Sequence, residues 1–182
     1  MTEARYQFGR VASIRASAVG QPGQRRFRLL VGAVNGASAL VWMDKQQLFN
    51  LGVALKNLIE QVHESHRRGR QTGVAGRFAA RADSSDHVEF QAGHMAVGYD
   101  EESDLYLFLA NEVEEPEGSL PRLSILADQQ AMNALADEAF EVCSAGRPLC
   151  PLCGTPINAN EAHVCPKHNG YHASLGETRE LS

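Results

Sequence analysis

Arg26 to Leu48 reads RFRLLVGAVNGASALVWMDKQQL, and strand, turn and helix signals follow one another along it. Phe27, Leu29, Val31 and Ala33 fall on alternate positions, with Arg26 and Arg28 on the other phase, which is the period of a strand that buries one face. Asn35-Gly36 is the strongest short-range hairpin signal, because both residues tolerate the positive φ of a tight turn. A further strand through about Ala39 to Met43 holds Trp42, the only tryptophan in the chain. Asp44 ends that strand. Its carboxylate can accept from the orphan N–H groups of a helix N-terminus, and Gln47, three residues on, can complete a capping box.

The pattern extends in both directions. Upstream, Tyr6, Phe8, Ala12, Ile14, Ala16 and Ala18 keep the phase of a first strand. Gln21-Pro22-Gly23-Gln24 then has the residues of a type II turn, with proline presetting φ and glycine accepting the positive φ that follows. Downstream, Leu48, Leu51, Leu55, Leu58, Ile59 and Val62 trace one face of a helix. HESHRRGRQTG, His63 to Gly73, ends that helix in a basic central loop.

The second half repeats the order. Strands are expected at about Val88 to Val97, Leu105 to Ala110 and Leu123 to Ala127, and Asp128 opens another helix. A displacement of 84 positions brings Val41 onto Ile125, Asp44 onto Asp128, Leu48 onto Met132, Leu51 onto Leu135, Leu55 onto Ala139 and Ile59 onto Cys143. Cys143 thereby reads as a small buried hydrophobe. The expected fold is α+β: a domain over 1–146 built from two β-β-β-α halves, about 5–66 and 87–146, with antiparallel sheet and helices on one face. Internal duplication accounts for the match, and so does shared binary patterning.

The 182 residues suffice for one sizeable core, and 43% hydrophobic with 21% charged residues is an ordinary globular composition. A net charge of -5 argues against a protein that coats nucleic acid, which usually needs a broad basic surface. No run approaches the ~20 apolar residues that cross a bilayer, and MTEARYQFGR lacks the apolar core of a secretory signal, so the expected location is cytoplasmic, away from membranes.

Three of the four cysteines crowd between positions 150 and 165. Cys150-Pro-Leu-Cys153-Gly154 has the spacing at which both sulfurs reach one tetrahedral ion, with a glycine that lets the chain turn beneath it. Cys165 supplies a third thiolate, and either His163 or His168 the fourth ligand; spacing alone favours His168. A Cys150–Cys153 redox dithiol is the competing reading, but Pro151, Gly154 and Pro156 give no helix for it to open. Three thiolates and an imidazole fill the tetrahedron, so one Zn2+ here is structural and leaves no position for substrate. It would close a knuckle over 147–172, too short to build its own core, ahead of a flexible tail, 173–182.

Gly20-Gln-Pro-Gly-Gln-Arg-Arg-Phe27, Asp44-Lys-Gln-Gln47, Gly146-Arg-Pro-Leu-Cys-Pro-Leu-Cys-Gly154, His163-Val-Cys-Pro166 and Asn169-Gly-Tyr171 together resemble an uncharacterised bacterial family that carries a domain of unknown function. The resemblance runs from about Phe8 to Tyr171 and implies no activity. It implies that the histidine two residues before the last cysteine is the ligand, which selects His163 and keeps His168 as the alternative. Ala162 replaces the glycine that precedes this histidine in the family pattern, and the basic stretch His66 to Arg81 is longer than in that pattern.

Other candidates are thinner. His63 and His66, with Glu60 or Glu64, lack a completed ligand set and read as solvated helix-end residues. Arg67, Arg68, Arg70, Arg77 and Arg81, in the arginine-rich segment 66–81, suit phosphate, but few aromatics accompany them for base stacking. His94 shares a strand phase with Phe90, Ala92 and Ala96 and is expected to pack inside. Arg25, Arg26 and Arg28 form either an anion-binding surface or ordinary surface ion pairs. No nucleophile elbow, phosphate loop or HExxH is present, so catalysis has no motif behind it.

The expected function is therefore a non-enzymatic zinc-containing binding or adaptor protein with another protein as partner. The alternatives are a nucleic-acid-associated protein that uses the zinc module and arginine-rich segment, and an enzyme or sensor for a small anionic or phosphorylated ligand. The last needs a concave polar pocket, and a solid core counts against it.

Overall fold

The computed structural model describes residues 4–20, 24–68, 83, 86–116, 118–145, 152–153 and 165. The alternating stretch around Leu29 is the middle strand of a meander: β1 (Tyr6–Val19), β2 (Arg26–Ala33) and β3 (Ser38–Met43), followed by α1 (Lys45–Arg68). The same order recurs in β4 (His87–Asp100), β5 (Leu105–Glu112), β6 (Leu123–Ala127) and α2 (Gln129–Ser144). Asn35 Oδ1 accepts from Ala37 N–H at 3.1 Å inside the β2–β3 turn, where Gly36 has φ 98°. The expected turn residues Gln21, Pro22 and Gly23 lie outside the described residues.

Both helices start as the caps require. Asp44 Oδ1 accepts from Gln47 N–H at 2.7 Å while Gln47 Oε1 accepts from Asp44 N–H at 2.9 Å, a reciprocal capping box. Asp128 Oδ1 accepts from Ala131 N–H at 2.9 Å.

The sheet differs from the expected antiparallel one. Strands within each half pair antiparallel, but β3 runs parallel to β4 and β6 parallel to β1, so the six strands close into a barrel. For β3 and β4 the reason is the helix between them, since a strand that returns to the sheet through a helical crossover comes back in the direction of the strand it left; antiparallel alternation through β5 then gives β6 the direction of β1. Closure also removes the exposed strand edges that an open sheet would carry.

Two strands change phase along their length. β1 has register breaks between Gln7 and Gly9 and between Val11 and Ser13, so the residues packed inward are Phe8, then Val11, then Ile14 and Ala16. Ala12, expected inside, is exposed. β4 has one break between Ala92 and Met95. Val88, Phe90 and Ala92 point inward before it, and Met95, Val97 and Tyr99 after it. His94, expected to pack inside, is turned to solvent, because the extra residue of the bulge shifts the alternation by one.

The barrel interior is filled. Phe8, Leu29, Val41, Tyr106, Phe108, Leu123 and Ile125 are each 1% exposed or less. Burial of a side chain of this size is worth about 1.5–3 kcal/mol. The helices lie antiparallel and pack on each other through Gly52, Phe140 and Ala136. Phe49 meets Phe140 edge to face at 5.4 Å, and Lys56 Nζ reaches Asn133 Oδ1 at 2.7 Å. Under the displacement of 84, Phe49 corresponds to Asn133 and Lys56 to Phe140, so one contact maps onto the other, and the Gly52–Ala136 approach maps onto itself. Cys143 lies in the core at 3% exposure.

Candidate functional site on the outer face of the first half

Outward-facing residues of β1 to β4 form three rows across the sheet. One row is Ser17, Arg28, Trp42 and Gln91; the next is Arg15, Leu30, Leu40 and Glu89; the third is Ser13, Gly32, Ser38 and His87. None of the twelve is buried. The second and third rows line an open concavity of about 380 Å³. Gly32 is among the lining residues, and a Cβ there would come 2.9 Å from Ser13 Oγ. Leu30 and Leu40 form an apolar floor between Arg15 and Glu89.

The polar groups around the floor are held in place. Trp42 Nε1 donates to Glu89 Oε1 at 2.7 Å, and Ser38 Oγ lies 2.6 Å from His87 Nδ1. Arg15 is paired with Glu138 of α2, whose second carboxylate oxygen accepts from Ala16 N–H at 3.0 Å. The Arg26 guanidinium lies over the Trp42 ring at 4.3 Å from its centroid, and that of Arg28 at 5.3 Å. Among the described residues neither guanidinium has a carboxylate partner, and Arg28 Nε is shielded from solvent with no hydrogen-bond acceptor. Of the two readings of these arginines, surface ion pairs are therefore excluded within the described residues. The Ser38–His87 contact resembles a nucleophile and base, but among the described residues no carboxylate orients the imidazole.

A second polar cluster closes the end of the barrel at the β4–β5 turn. Tyr99 and Tyr106 rings lie 5.1 Å apart, and Tyr99 OH donates to Asp104 Oδ1 at 2.5 Å. Burial first, and then the Asp104 hydrogen bond and charge, push the Tyr99 phenol well above its ordinary value. Burial and Asp104 push Tyr106 the same way. Among the described residues Tyr106 OH and Asp100 Oδ1 are shielded and have no hydrogen-bond partner. His63 and His66 are exposed near the end of α1, as expected, with the His66 ring 5.7 Å from that of Tyr99 and His63 Nε2 2.8 Å from Gln129 Oε1. Helix pairing and barrel closure bring these partners from the other half of the chain, which local sequence does not announce. Glu64 pairs with Arg68 at 3.4 Å.

Of the expected zinc ligands, Cys165 is buried at 6% exposure and Cys153 is half-buried. Cys150, His163 and His168 lie outside the described residues, as do Arg70, Arg77 and Arg81 of the basic segment. Among the described residues no three metal-ligating side chains come together. No helix described is long and apolar enough to cross a membrane.

The outer-face rows escape a local reading because Glu89 and His87 belong to a strand some fifty positions from their neighbours Leu40 and Ser38. The signal that was present is the phase of Arg26, Arg28 and Trp42, all opposite to the core face.

No curated protein and no solved structure matches the chain. A family model described as "Protein of unknown function (DUF3090)" matches residues 6–165, from the first residue of β1 to the last cysteine, and the chain belongs to that family.

Proposed function

We propose that this chain is a non-enzymatic binding protein of the adaptor kind, in which the barrel presents the outer face of β1–β4 to another protein. The observation that carries this reading is the concavity with its Leu30–Leu40 floor and charged rim, on the outside of a barrel whose interior is solid. An apolar floor ringed by fixed polar groups is the general form of a protein-docking surface. A substrate chamber inside the barrel has no room beside Phe8, Phe108 and Tyr106. Leu30→Asp, placed at a position 38% exposed, should leave the fold intact and abolish capture of the partner by the tagged protein in its native cell. Undiminished capture by Leu30→Asp would remove the surface from consideration.

In the same proposal the C-terminal segment holds one structural zinc through Cys150, Cys153, His163 and Cys165, with His168 as the alternative fourth ligand. The donor set suits a closed tetrahedral site, and the burial of Cys165 suits a thiolate withdrawn from solvent. Elemental analysis should find one zinc per chain, lost in Cys153→Ser and Cys165→Ser. Full retention in Cys165→Ser would sink the ligand set, and the pair His163→Ala and His168→Ala decides the fourth position.

We also propose that the halves descend from one duplicated β-β-β-α unit. The strands run 14, 8 and 6 residues in the first half and 14, 8 and 5 in the second, and the helix contacts exchange roles under one displacement. A crystal structure whose superposed halves failed to bring Asp44 onto Asp128 and Gly52 onto Ala136 would contradict it.

A further inference from the structure

We propose that Arg26 and Arg28 bind a phosphoryl group carried by an extended segment of the partner protein, with Leu30 and Leu40 receiving an apolar side chain of the same segment. The inference rests on the outer face being the docking surface and names the chemistry that the surface selects.

Two guanidiniums approach one indole ring, and the described residues offer neither of them a counter-ion. Holding two like charges together is unfavourable unless an anion joins them, and a phosphoryl dianion neutralises both at once. Glu89, a carboxylate of this face, is engaged by the indole N–H and fixes the ring instead. A guanidinium that lies over a ring uses its flat face and keeps its in-plane donors, which match phosphate oxygens. The fixed ring and short strand spacing also reduce the ordering cost of binding.

The neighbouring rows set the rest. Arg28 and Leu30 are two positions apart on β2, a separation of about 7 Å along a strand. An extended peptide with a phosphorylated residue two positions from a leucine has the same spacing. Nucleic acid is disfavoured because the arginines cover the ring that would stack a base, and the net charge is -5.

Trp42 is the only tryptophan of the chain and lies inside the site, so its emission reports binding directly. The full chain is titrated with a phosphoserine peptide carrying leucine two positions away, its unphosphorylated form, inorganic phosphate and a single-stranded RNA oligomer. Expected is a saturable change in Trp42 emission with the phosphopeptide, weaker by roughly tenfold or more for the unphosphorylated form and for Arg26→Gln and Arg28→Gln. Inorganic phosphate should compete at high concentration without reproducing the peptide affinity. Equal binding of the two peptides overturns the proposal, and so does arginine-dependent binding of the RNA with none of the phosphopeptide.

The underlying docking surface is judged separately. If Leu30→Asp abolishes partner capture while Arg28→Gln and phosphatase treatment leave it unchanged, the phosphoryl site is wrong and the surface stands. If Leu30→Asp alters neither partner capture nor phosphopeptide binding, both fail.

Discussion

Gly52→Ala tests whether the two helices are held at a fixed approach. Taken alone, alanine in mid-helix is favoured over glycine by about 0.5–1 kcal/mol. The packing opposes that gain, because a Cβ on Gly52 would sit 3.0 Å from Phe140 Cε1, 3.1 Å from Cζ and 3.4 Å from the Ala136 carbonyl oxygen. The oxygen contact is ordinary, but non-bonded carbons prefer about 3.5–4.0 Å, so the ring must withdraw by roughly half an ångström. Phe140 is itself engaged edge to face by Phe49, in a contact of a kind worth about 0.5–1.5 kcal/mol, and withdrawal weakens it. Overpacking of this kind costs about 1–3 kcal/mol, which leaves Gly52→Ala destabilised by about 1 kcal/mol after the helix gain. For a chain of this length that is a fall in Tm of about 2–4 °C. Urea unfolding followed by circular dichroism reads the same quantity. Adding Phe140→Leu should make Gly52→Ala neutral or stabilising relative to Phe140→Leu alone. A Gly52→Ala chain more stable than its parent, with no coupling to residue 140, would refute the fixed approach.

The caps should behave as a matched pair: Asp44→Ala and Asp128→Ala should each lower stability by about 0.5–2 kcal/mol in urea unfolding, since both carboxylates accept from a first-turn N–H. Gly93→Ala should cost about 1–3 kcal/mol, because its Cβ would meet Val113 Cα at 2.9 Å and Glu112 O at 3.1 Å, and neither backbone atom can yield as a side chain does. Above pH ~10, where an unfolded tyrosine gives up its proton, the native chain still holds the protons of Tyr99 and Tyr106, whose phenols are raised by burial and by Asp104. Stability from these groups is therefore complete below pH ~10 and declines as pH rises further. Absorbance titration should show tyrosine ionisation in the native protein delayed to higher pH than in the urea-unfolded chain, and coincident curves would contradict the burial of Tyr99 and Tyr106.

Much of the fold is legible because its signals are local. The alternation from Phe27 to Ala33, the Asn35-Gly36 turn and the Asp44 cap each depend on neighbours within a few residues, and each element forms where those residues place it. What escapes a local reading is anything set by an extra residue or a distant strand. The bulge at Ala92 to Met95 costs one unit of phase, enough to turn His94 from core to solvent. Closure through the β3–β4 and β6–β1 seams depends on which distant strands meet, and periodicity carries no such information. The proposed zinc ligands rest on a signal of the local kind, because thiolate spacing is a constraint independent of the barrel.

The two halves have the same order of elements, yet their outer faces differ, and the difference bears on where binding occurs. Trp42 corresponds to Leu126 under the displacement of 84, and each faces a cross-strand partner, Arg28 for Trp42 and Leu107 for Leu126. In the second half that pair is apolar and buried, at 7% for Leu107 and 5% for Leu126. In the first half it is a cation over an indole, on a face where Leu30 is 38% exposed. A protein selected only for stability would gain by covering or neutralising the first face as the second is covered, since an exposed leucine and two guanidiniums that have no counter-ion among the described residues contribute little to folding. Their presence on one of two otherwise similar faces is the reason to seek the partner there, and the Arg28→Gln and Leu30→Asp chains separate the charge from the apolar floor in that search.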